Sequence, residues 1–132
     1  MIFVDTSYWV AAVNRRDAHH GEAIELLPKY GPRGLVTTNH VRGETWTFLR
    51  RRMGHAGAKA FLDLLSRSHG VSVEFVSPEI ERRALHWLQH HDEREYSFVD
   101  ATSFAVMKSR RIREALAFDG DFSAAGFVEL RV

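Results

Sequence analysis

The first ten residues of the chain, MIFVDTSYWV (residues 1–10), contain the pattern that is most informative about its fold. Met1–Val4 is a short apolar run, which predicts a buried strand. The run ends at Asp5-Thr6-Ser7, residue types that commonly cap the start of a helix. Tyr8–Val13 is then predicted as a short helix. The stretch therefore predicts a strand that leads directly into a helix, with an aspartate at the junction.

The same succession of strand and helix recurs along the rest of the chain. Further strands are predicted at Gly34–Thr38, Val71–Val76, Glu114–Phe118 and Phe127–Val132. Helices are predicted at His19–Leu27, which Pro28 should end, at Asn39–Met53, Ala56–Ser68 and Val99–Ser109, and from Ser77-Pro78-Glu79 onwards. Strands that alternate with helices indicate an α/β fold with a mainly parallel sheet. Because no internal repeat or linker interrupts the pattern, we expect a single domain over residues 1–132.

The composition excludes several classes of protein and site. With 132 residues, 45% of them hydrophobic, the chain can form one substantial core without cross-links. It has no cysteine, so disulfides, thiolate catalysis, Cys-ligated zinc and iron–sulfur clusters are excluded. No apolar run approaches the ~20 residues of a membrane span, and the N-terminus lacks the basic segment of a signal peptide. We therefore expect a cytoplasmic protein with no membrane partner.

Three aspartates lie where predicted strands end. Asp5 and Asp119 directly follow strands, and Asp100 follows a short extended piece, Tyr96–Val99, and begins an apolar helix. In open α/β sheets, ligands bind beyond the carboxyl ends of the strands. We therefore expect these three carboxylates to meet at one edge of the sheet.

A fourth acid, Glu44, lies on the inner side of a predicted helix. Val41, Glu44 and Phe48 follow the i, i+3, i+7 spacing of a core-facing stripe. A carboxylate in such a stripe is unusual, because a buried charge is costly unless it is paired or bound to a metal.

Each acid also has a purely structural explanation. Asp5 and Asp100 can be helix N-caps, worth ~1 kcal/mol apiece, Asp119 can form a turn with Gly120, and Glu44 can pair with an arginine. Four acids at one edge would instead repel one another, by roughly 4 kcal/mol for two charges 4 Å apart at an effective dielectric of ~20. A hard divalent cation would offset this repulsion. The cluster therefore indicates a Mg²⁺ or Mn²⁺ site, for which phosphoester hydrolysis is the favoured chemistry.

Four segments carry a resemblance to a known family. They are MIFVDTSYWVA at residues 1–11, TTNHVRGE at 37–44, YSFVDATSFAVM at 96–107 and ALAFDGDFSAAGF at 115–127. In their order and spacing they resemble the PIN-domain ribonucleases, and within that family the VapC-type toxins of prokaryotic toxin–antitoxin pairs. The resemblance covers nearly the whole chain.

The resemblance implies a role for each acid. Asp5 and Asp100 would bind the metal directly, and Asp119 would complete the metal site, often through water. Glu44 would bind metal, or position or deprotonate the attacking water. Asp121 is a candidate to replace or assist Asp119. Hydroxyl neighbours that would orient the carboxylates are Thr6, Ser7 and Thr102.

The resemblance also implies a sheet of parallel strands between two helical layers, a homodimer, and a small antitoxin that presses a basic residue into the acidic pocket. The substrate would be structured RNA, either transfer RNA or ribosomal RNA. The run Arg50, Arg51 and Arg52 could contact the RNA backbone or form a solvated end of its helix.

Two other functions are compatible with parts of the pattern. One is a PIN-fold module that binds RNA or protein without catalysis, although it would have little need for all four acids. The other is a phosphotransfer domain of the receiver or haloacid-phosphatase type, but the phosphatase pattern requires Asp-x-Asp and residue 7 is a serine. We therefore expect a Mg²⁺-dependent endoribonuclease toxin.

Overall fold

Five short strands and six helices make up the fold, and the computed structural model describes all 132 residues. The strands are β1 (Ile2–Val4), β2 (Leu35–Thr38), β3 (Val71–Glu74), β4 (Glu114–Leu116) and β5 (Val128–Glu129). The helices are α1 (Thr6–Val13), α2 (His20–Tyr30), α3 (Asn39–Arg67), α4 (Pro78–Gln89), α5 (Phe98–Arg110) and α6 (Asp121–Ala124), with a 3-10 turn at Gly31–Arg33. None of these helices combines the length and the apolar character needed to cross a bilayer.

The strands form one sheet in the order β3-β2-β1-β4-β5, and every neighbouring pair is parallel. In the central register, Phe3 pairs with Val36 on one side and with Ala115 on the other. Because all five strands point the same way, their carboxyl ends lie along one edge. The predicted α/β fold with a parallel sheet is therefore confirmed, and β1 lies at its centre.

Helices flank the sheet, as the burial of its central strands requires. Every residue of β1 and β2 is buried, which is typical of parallel strands covered on both faces. A core of 25 buried residues includes Trp9 of α1, which packs against Phe61 of α3. Phe122 of α6 packs against Phe3 of β1 and Phe104 of α5. Aromatic side chains thus connect α6 to the sheet and to α5, and connect α1 to α3.

The long helical segment α3 has a sharp bend at Gly54. Its φ of 78° and ψ of −175° are not helical, so two helices meet there. We expected one helix to end at Met53 and another to begin at Ala56, and the bend agrees with that division. Glycine suits the bend because a side chain would be strained at this φ.

Several predicted boundaries are wrong. Strand β3 ends at Glu74 rather than Val76, and β4 ends at Leu116 rather than Phe118. Helix α2 continues past Pro28 to Tyr30, since a proline near the end of a helix removes only one late hydrogen bond. The last strand covers Val128–Glu129 rather than Phe127–Val132, because it is an edge strand with a partner on one side only. Tyr96–Val99 is not an extended piece, because α5 already begins at Phe98.

Candidate active site

Asp5 lies at the junction that the sequence predicts, between the end of β1 and the first turn of α1. It is the N-cap of that helix, and its Oδ2 accepts hydrogen bonds from the Ser7 backbone N–H at 3.1 Å and the Ser7 hydroxyl at 2.7 Å. Only 2% of the residue is exposed. The carboxylate of Asp5 therefore caps α1 and is at the same time a candidate metal ligand.

Asp100 lies in the first turn of α5, where it is the third residue of the helix rather than the cap. Ser97 is the cap: its hydroxyl accepts the Asp100 N–H at 2.9 Å, while Asp100 Oδ2 accepts the Ser97 N–H at 3.0 Å. This reciprocal pair is a capping box. It fixes the carboxylate of Asp100, which is 7% exposed. The spacing of three positions from Ser97 to Asp100 is a sequence signal for this cap that our prediction missed.

Asp119 lies in the turn that follows β4, and Asp121 is the first residue of α6. Asp119 Oδ1 accepts the Asp121 N–H at 3.1 Å, and Gly120 between them has a φ of 83°. One carboxylate oxygen from each of Asp100, Asp119 and Asp121 lies within 4.8 Å of the other two. Asp121, expected only as a substitute or assistant for Asp119, is thus part of the cluster itself.

Glu44 reaches the same place from α3. Its Oε1 accepts a hydrogen bond of 2.6 Å from the hydroxyl of Thr6, and the Thr45 hydroxyl donates in turn to Thr6 at 3.2 Å. Glu44 is half-buried and is not paired with an arginine. The ion pair with an arginine, which would explain Glu44 structurally, is therefore absent. Glu44 accepts a hydrogen bond from the Thr6 hydroxyl instead.

The five acids line a single cavity of about 500 Å³ at the carboxyl edge of the sheet. Two more acids, Asp17 and Glu95, and one histidine, His19, also line it. The structure thus brings Asp5, Asp100, Asp119 and Glu44 to one cavity, at the edge of the sheet that the sequence predicts.

Burial and mutual repulsion make these carboxylic acids weaker than usual. Burial raises the pKa of Asp5 to about 8, with a further contribution from the charge of Asp119, although the Ser7 hydrogen bonds oppose the shift. Burial, with the charges of Asp121 and Asp119, raises the pKa of Asp100 to about 7. Partial burial, with the charges of Asp121 and Glu129, raises the pKa of Asp119 to about 6, although part of that residue faces solvent.

Burial by itself raises a carboxyl pKa, and the neighbouring acids add repulsion that no cation among the causes of these shifts offsets. The donor atoms of the cluster are carboxylate oxygens, which are the ligands that hard divalent cations such as Mg²⁺ and Mn²⁺ prefer. The residues therefore fit a divalent metal by both charge and chemistry.

One cation, Arg94, lies at the rim of the cluster, and the sequence did not indicate it. Its Nε donates to Asp121 Oδ1 at 2.6 Å, and its Nη2 donates to the backbone oxygen of Asp119 at 3.1 Å. Arg94 comes from the irregular segment between α4 and α5. No local pattern places a residue of that segment against the turn after β4.

The remaining predicted residues divide into two groups. Ser7 and Thr6 contact Asp5 and Glu44, as expected for hydroxyl groups that orient carboxylates. The hydroxyl of Thr102 instead donates to the backbone oxygen of Val99 at 3.0 Å and contacts His40 Nδ1 at 3.3 Å, so the structure does not bring it to a carboxylate. The arginine run is exposed on α3 outside the acidic cavity, at Arg50, Arg51 and Arg52.

Comparisons with known proteins identify the family of the chain. The sequence matches the PIN domain family over residues 2–128. It is 57% identical over 131 residues to the 23S rRNA-specific endonuclease VapC20 of Mycobacterium tuberculosis strain H37Rv, covering 99% of this chain and 98% of that protein, and equally to VapC20 of strain CDC 1551.

A solved structure gives the same result in three dimensions. The crystal structure of Mycobacterium tuberculosis VapC20, described as a sarcin–ricin loop cleaving toxin, has a TM-score of 0.92 to this chain. The two share 55% sequence identity, and the alignment covers 100% of both chains. The family, the fold and the enzyme class expected from the sequence are those of these relatives. The chain therefore belongs to the PIN domain family.

Proposed function

We propose that this protein is a metal-dependent endoribonuclease that cleaves a structured loop of ribosomal RNA. The observation that carries the proposal is the convergence of five carboxylates, Asp5, Glu44, Asp100, Asp119 and Asp121, in one cavity at the carboxyl edge of the sheet. Such a concentration of negative charge opposes folding unless a cation offsets it. The most economical explanation for its presence is a divalent metal that functions in hydrolysis.

In this proposal Asp5, Asp100 and Asp119 hold Mg²⁺ or Mn²⁺. The bound metal would lower the pKa of a water molecule and stabilise negative charge on the phosphate oxygens. Ser7 and Ser97 hold the carboxylates of Asp5 and Asp100 in place through the hydrogen bonds described above. Because these donors fix the side chains before substrate binds, little reorganisation is required during the reaction.

Glu44 is the residue best placed to handle the proton of the attacking water. The hydroxyl of Thr6 donates a hydrogen bond to Glu44 Oε1, and Glu44 Oε2 has no hydrogen-bond partner within the protein. Oε2 is therefore free to accept a hydrogen bond from water and then its proton. Thr6 acts as a positioning residue, because it fixes the direction in which the other oxygen points.

The substrate follows from the relatives rather than from the site. Two curated relatives at 57% identity are named 23S rRNA-specific endonucleases, and the solved relative is named for cleavage of the sarcin–ricin loop. We propose the same loop as the substrate of this protein. Of the two substrates considered from the sequence, this favours ribosomal RNA over transfer RNA. A ribosomal substrate also supports the proposal of a cytoplasmic protein.

We further propose that the protein is a toxin that acts as a homodimer and is held inactive by a small antitoxin. The acidic cavity supports this, because a basic side chain from a partner could neutralise the carboxylates and exclude the metal. The cavity is open enough to admit such a side chain, with a volume of about 500 Å³.

The direct test is cleavage of a synthetic stem–loop that copies the sarcin–ricin loop. Protein freed of any partner should cut it in Mg²⁺ or Mn²⁺ and stop cutting in EDTA. Asp5→Asn and Asp100→Asn should each lower the rate by about 100-fold or more, since even supporting residues of metal sites cost 10–100-fold. Asp63→Asn, at an exposed position of α3, is the matched control and should cut normally.

The alternative, a non-catalytic binding module, predicts different results. Such a module would bind the stem–loop without cutting it, and it would show no Mn²⁺ binding that depends on Asp5 or Asp100. Cleavage that persists in EDTA would contradict the metal mechanism.

A further inference from the structure

A second cavity, of about 720 Å³, lies beside the acidic one and is here called the aromatic groove. One wall is a single face of the first half of α3, and the other is the start of α5. The lining residues are His40, Gly43, Glu44, Thr47, Phe48, Arg51, Arg52, Phe98 and Val99. Glu44 and Phe48 also line the acidic cavity. A ligand in the groove would therefore continue directly into the proposed site of cleavage.

Aromatic rings face the open space of the groove. Phe48 and Phe98 are each 38% exposed, although most large apolar side chains of the protein are buried. The ring of His40 lies 5.7 Å from that of Phe98, tilted by 30°. Thr102 holds Nδ1 of this histidine, which leaves Nε2 without a partner within the protein. The groove thus offers flat apolar surfaces together with one hydrogen-bonding group.

The positive charge of the groove contrasts with the negative charge of its neighbour. Arg51 and Arg52 are both exposed, and neither forms an ion pair within the protein. The guanidinium of Arg52 lies over the ring of Phe48, 5.2 Å from its centre. Free arginines beside exposed rings are the combination that binds a polyanion with flat apolar groups.

We propose that the aromatic groove binds an unstacked nucleobase of the RNA substrate, next to the phosphodiester that is cut. The rings of Phe48 and Phe98 stack on the base, and Arg51 and Arg52 contact the flanking phosphates. His40 Nε2 reads one edge of the base. Proteins recognise RNA sequence chiefly at such splayed bases in loops. This inference rests on the proposed ribonuclease function and adds the subsite that selects a loop over a duplex.

Gly43 provides a way to block the groove without damaging the fold. It lies on α3, lines the groove, and a Cβ built on it meets no atom within 4 Å. Gly43→Leu should therefore fold normally and project its side chain into the groove. Gly21→Leu is the matched control, because Gly21 is an exposed helical glycine of α2 with equally open surroundings.

Phe98 provides a second, chemical test. Phe98→Leu keeps an apolar side chain but removes the aromatic face, whereas Phe98→Tyr keeps the ring. A nucleobase should distinguish these two variants, because it stacks on a ring. An apolar side chain of a protein partner should tolerate both.

The experiment measures kcat and KM for the synthetic sarcin–ricin stem–loop, with 2-aminopurine placed at one loop position at a time. Stopped-flow fluorescence records whether the base stacks on the protein before cleavage. We expect Gly43→Leu and Phe98→Leu to raise KM by about tenfold or more and to abolish the fluorescence change. Phe98→Tyr should retain the fluorescence change that Phe98→Leu abolishes, and Gly21→Leu should resemble the unaltered protein. Calorimetry with Mn²⁺ should give the same affinity for all five proteins.

Two results would overturn the inference while the ribonuclease function stands. One is an unchanged KM and fluorescence signal in folded Gly43→Leu and Phe98→Leu. The other is an unchanged KM in Gly43→Leu together with a changed oligomeric state by size-exclusion chromatography, which would assign the groove to a protein interface. If the unaltered protein neither binds nor cuts the stem–loop, the proposed function itself fails, and the inference fails with it.

Discussion

The hydroxyl group of Ser7 donates a hydrogen bond of 2.7 Å to the carboxylate of Asp5. The same oxygen accepts the backbone N–H of Phe118 at 3.0 Å. One hydroxyl therefore connects the carboxylate at the end of β1 to the segment after β4 that carries Asp119. The spacing between the acids depends on this contact as well as on the sheet.

Replacing Ser7 should change the protonation of Asp5 and thereby weaken metal binding. Ser7→Ala removes a hydrogen bond that lowers the pKa of Asp5, so this pKa should rise further above about 8. Protonated Asp5 is a poor metal ligand, and we expect Mn²⁺ affinity at pH 7 to fall by about 10- to 100-fold and to recover partly at pH 9. Calorimetry at the two pH values measures this. Ser109→Ala, at an exposed position of α5, should change neither affinity, and equal losses at both pH values would contradict the explanation.

The stability of the metal-free protein should decrease as the pH rises. Asp5, Asp100 and Asp119 have raised pKa values of about 8, 7 and 6 in the folded state. In the unfolded chain their pKa values are close to 4. Between these limits the folded state binds more protons than the unfolded state, so the free energy of unfolding falls as pH increases.

Thermal unfolding in EDTA tests this. We expect Tm to fall by several degrees between pH 5 and pH 8.5, and Mn²⁺ to raise Tm much more at pH 8 than at pH 5. Asp100→Asn should flatten the dependence on pH, whereas Asp63→Asn, away from the cluster, should preserve it. A Tm that increases over this range would be inconsistent with a cation-deficient cluster.

Arg94 should weaken metal binding by its charge. It pairs with Asp121, one of the three carboxylates that lie within 4.8 Å of each other. Arg94→Gln removes a positive charge beside the proposed metal, and we expect Mn²⁺ to bind about threefold more tightly at low salt, with a smaller gain at high salt. The stability change should be small, since the side chain of Arg94 is 41% exposed and its ion pair is accessible to solvent. Arg113→Gln, also exposed, is the control, and weaker binding by Arg94→Gln would instead indicate that the arginine organises the turn.

Gly54 should be required for the bend in α3. Its φ of 78° is strained for any residue with a side chain, although a Cβ there meets no atom within 4 Å. Gly54→Ala should therefore destabilise the protein by about 1–3 kcal/mol through the backbone alone. Gly43→Ala, at an ordinary helical position of the same segment, should stabilise it by up to about 1 kcal/mol. Urea unfolding of the pair distinguishes these effects, and equal stabilities would show that the bend can relax.

The sequence predicted the elements that depend on short-range patterns. The apolar run before Asp5 and the helix signals after it lie within ten residues, and β1 and α1 formed as expected. The strand before Asp119 was recognised for the same reason. Two local signals were misjudged. Pro28 was taken as the end of α2, and the helix cap formed by Ser97 was not recognised.

The contacts that complete the site could not be predicted in this way. Thr6 meets Glu44 across 38 positions of sequence, Arg94 meets Asp121 across 27, and Ser7 meets Phe118 across 111. Thr6 and Thr102 have the same chemistry, but only Thr6 lies against a carboxylate.

The positions of the acids after parallel strands could be predicted from the sequence alone. Local periodicity indicates the alternation of strand and helix, and the carboxyl ends of parallel strands share an edge. The folded arrangement was needed to show which hydroxyl and which arginine contact which acid, and that an aromatic groove opens beside them. The reason is physical: such contacts depend on how whole helices pack against the sheet, and that packing is set by the complete core rather than by any short segment.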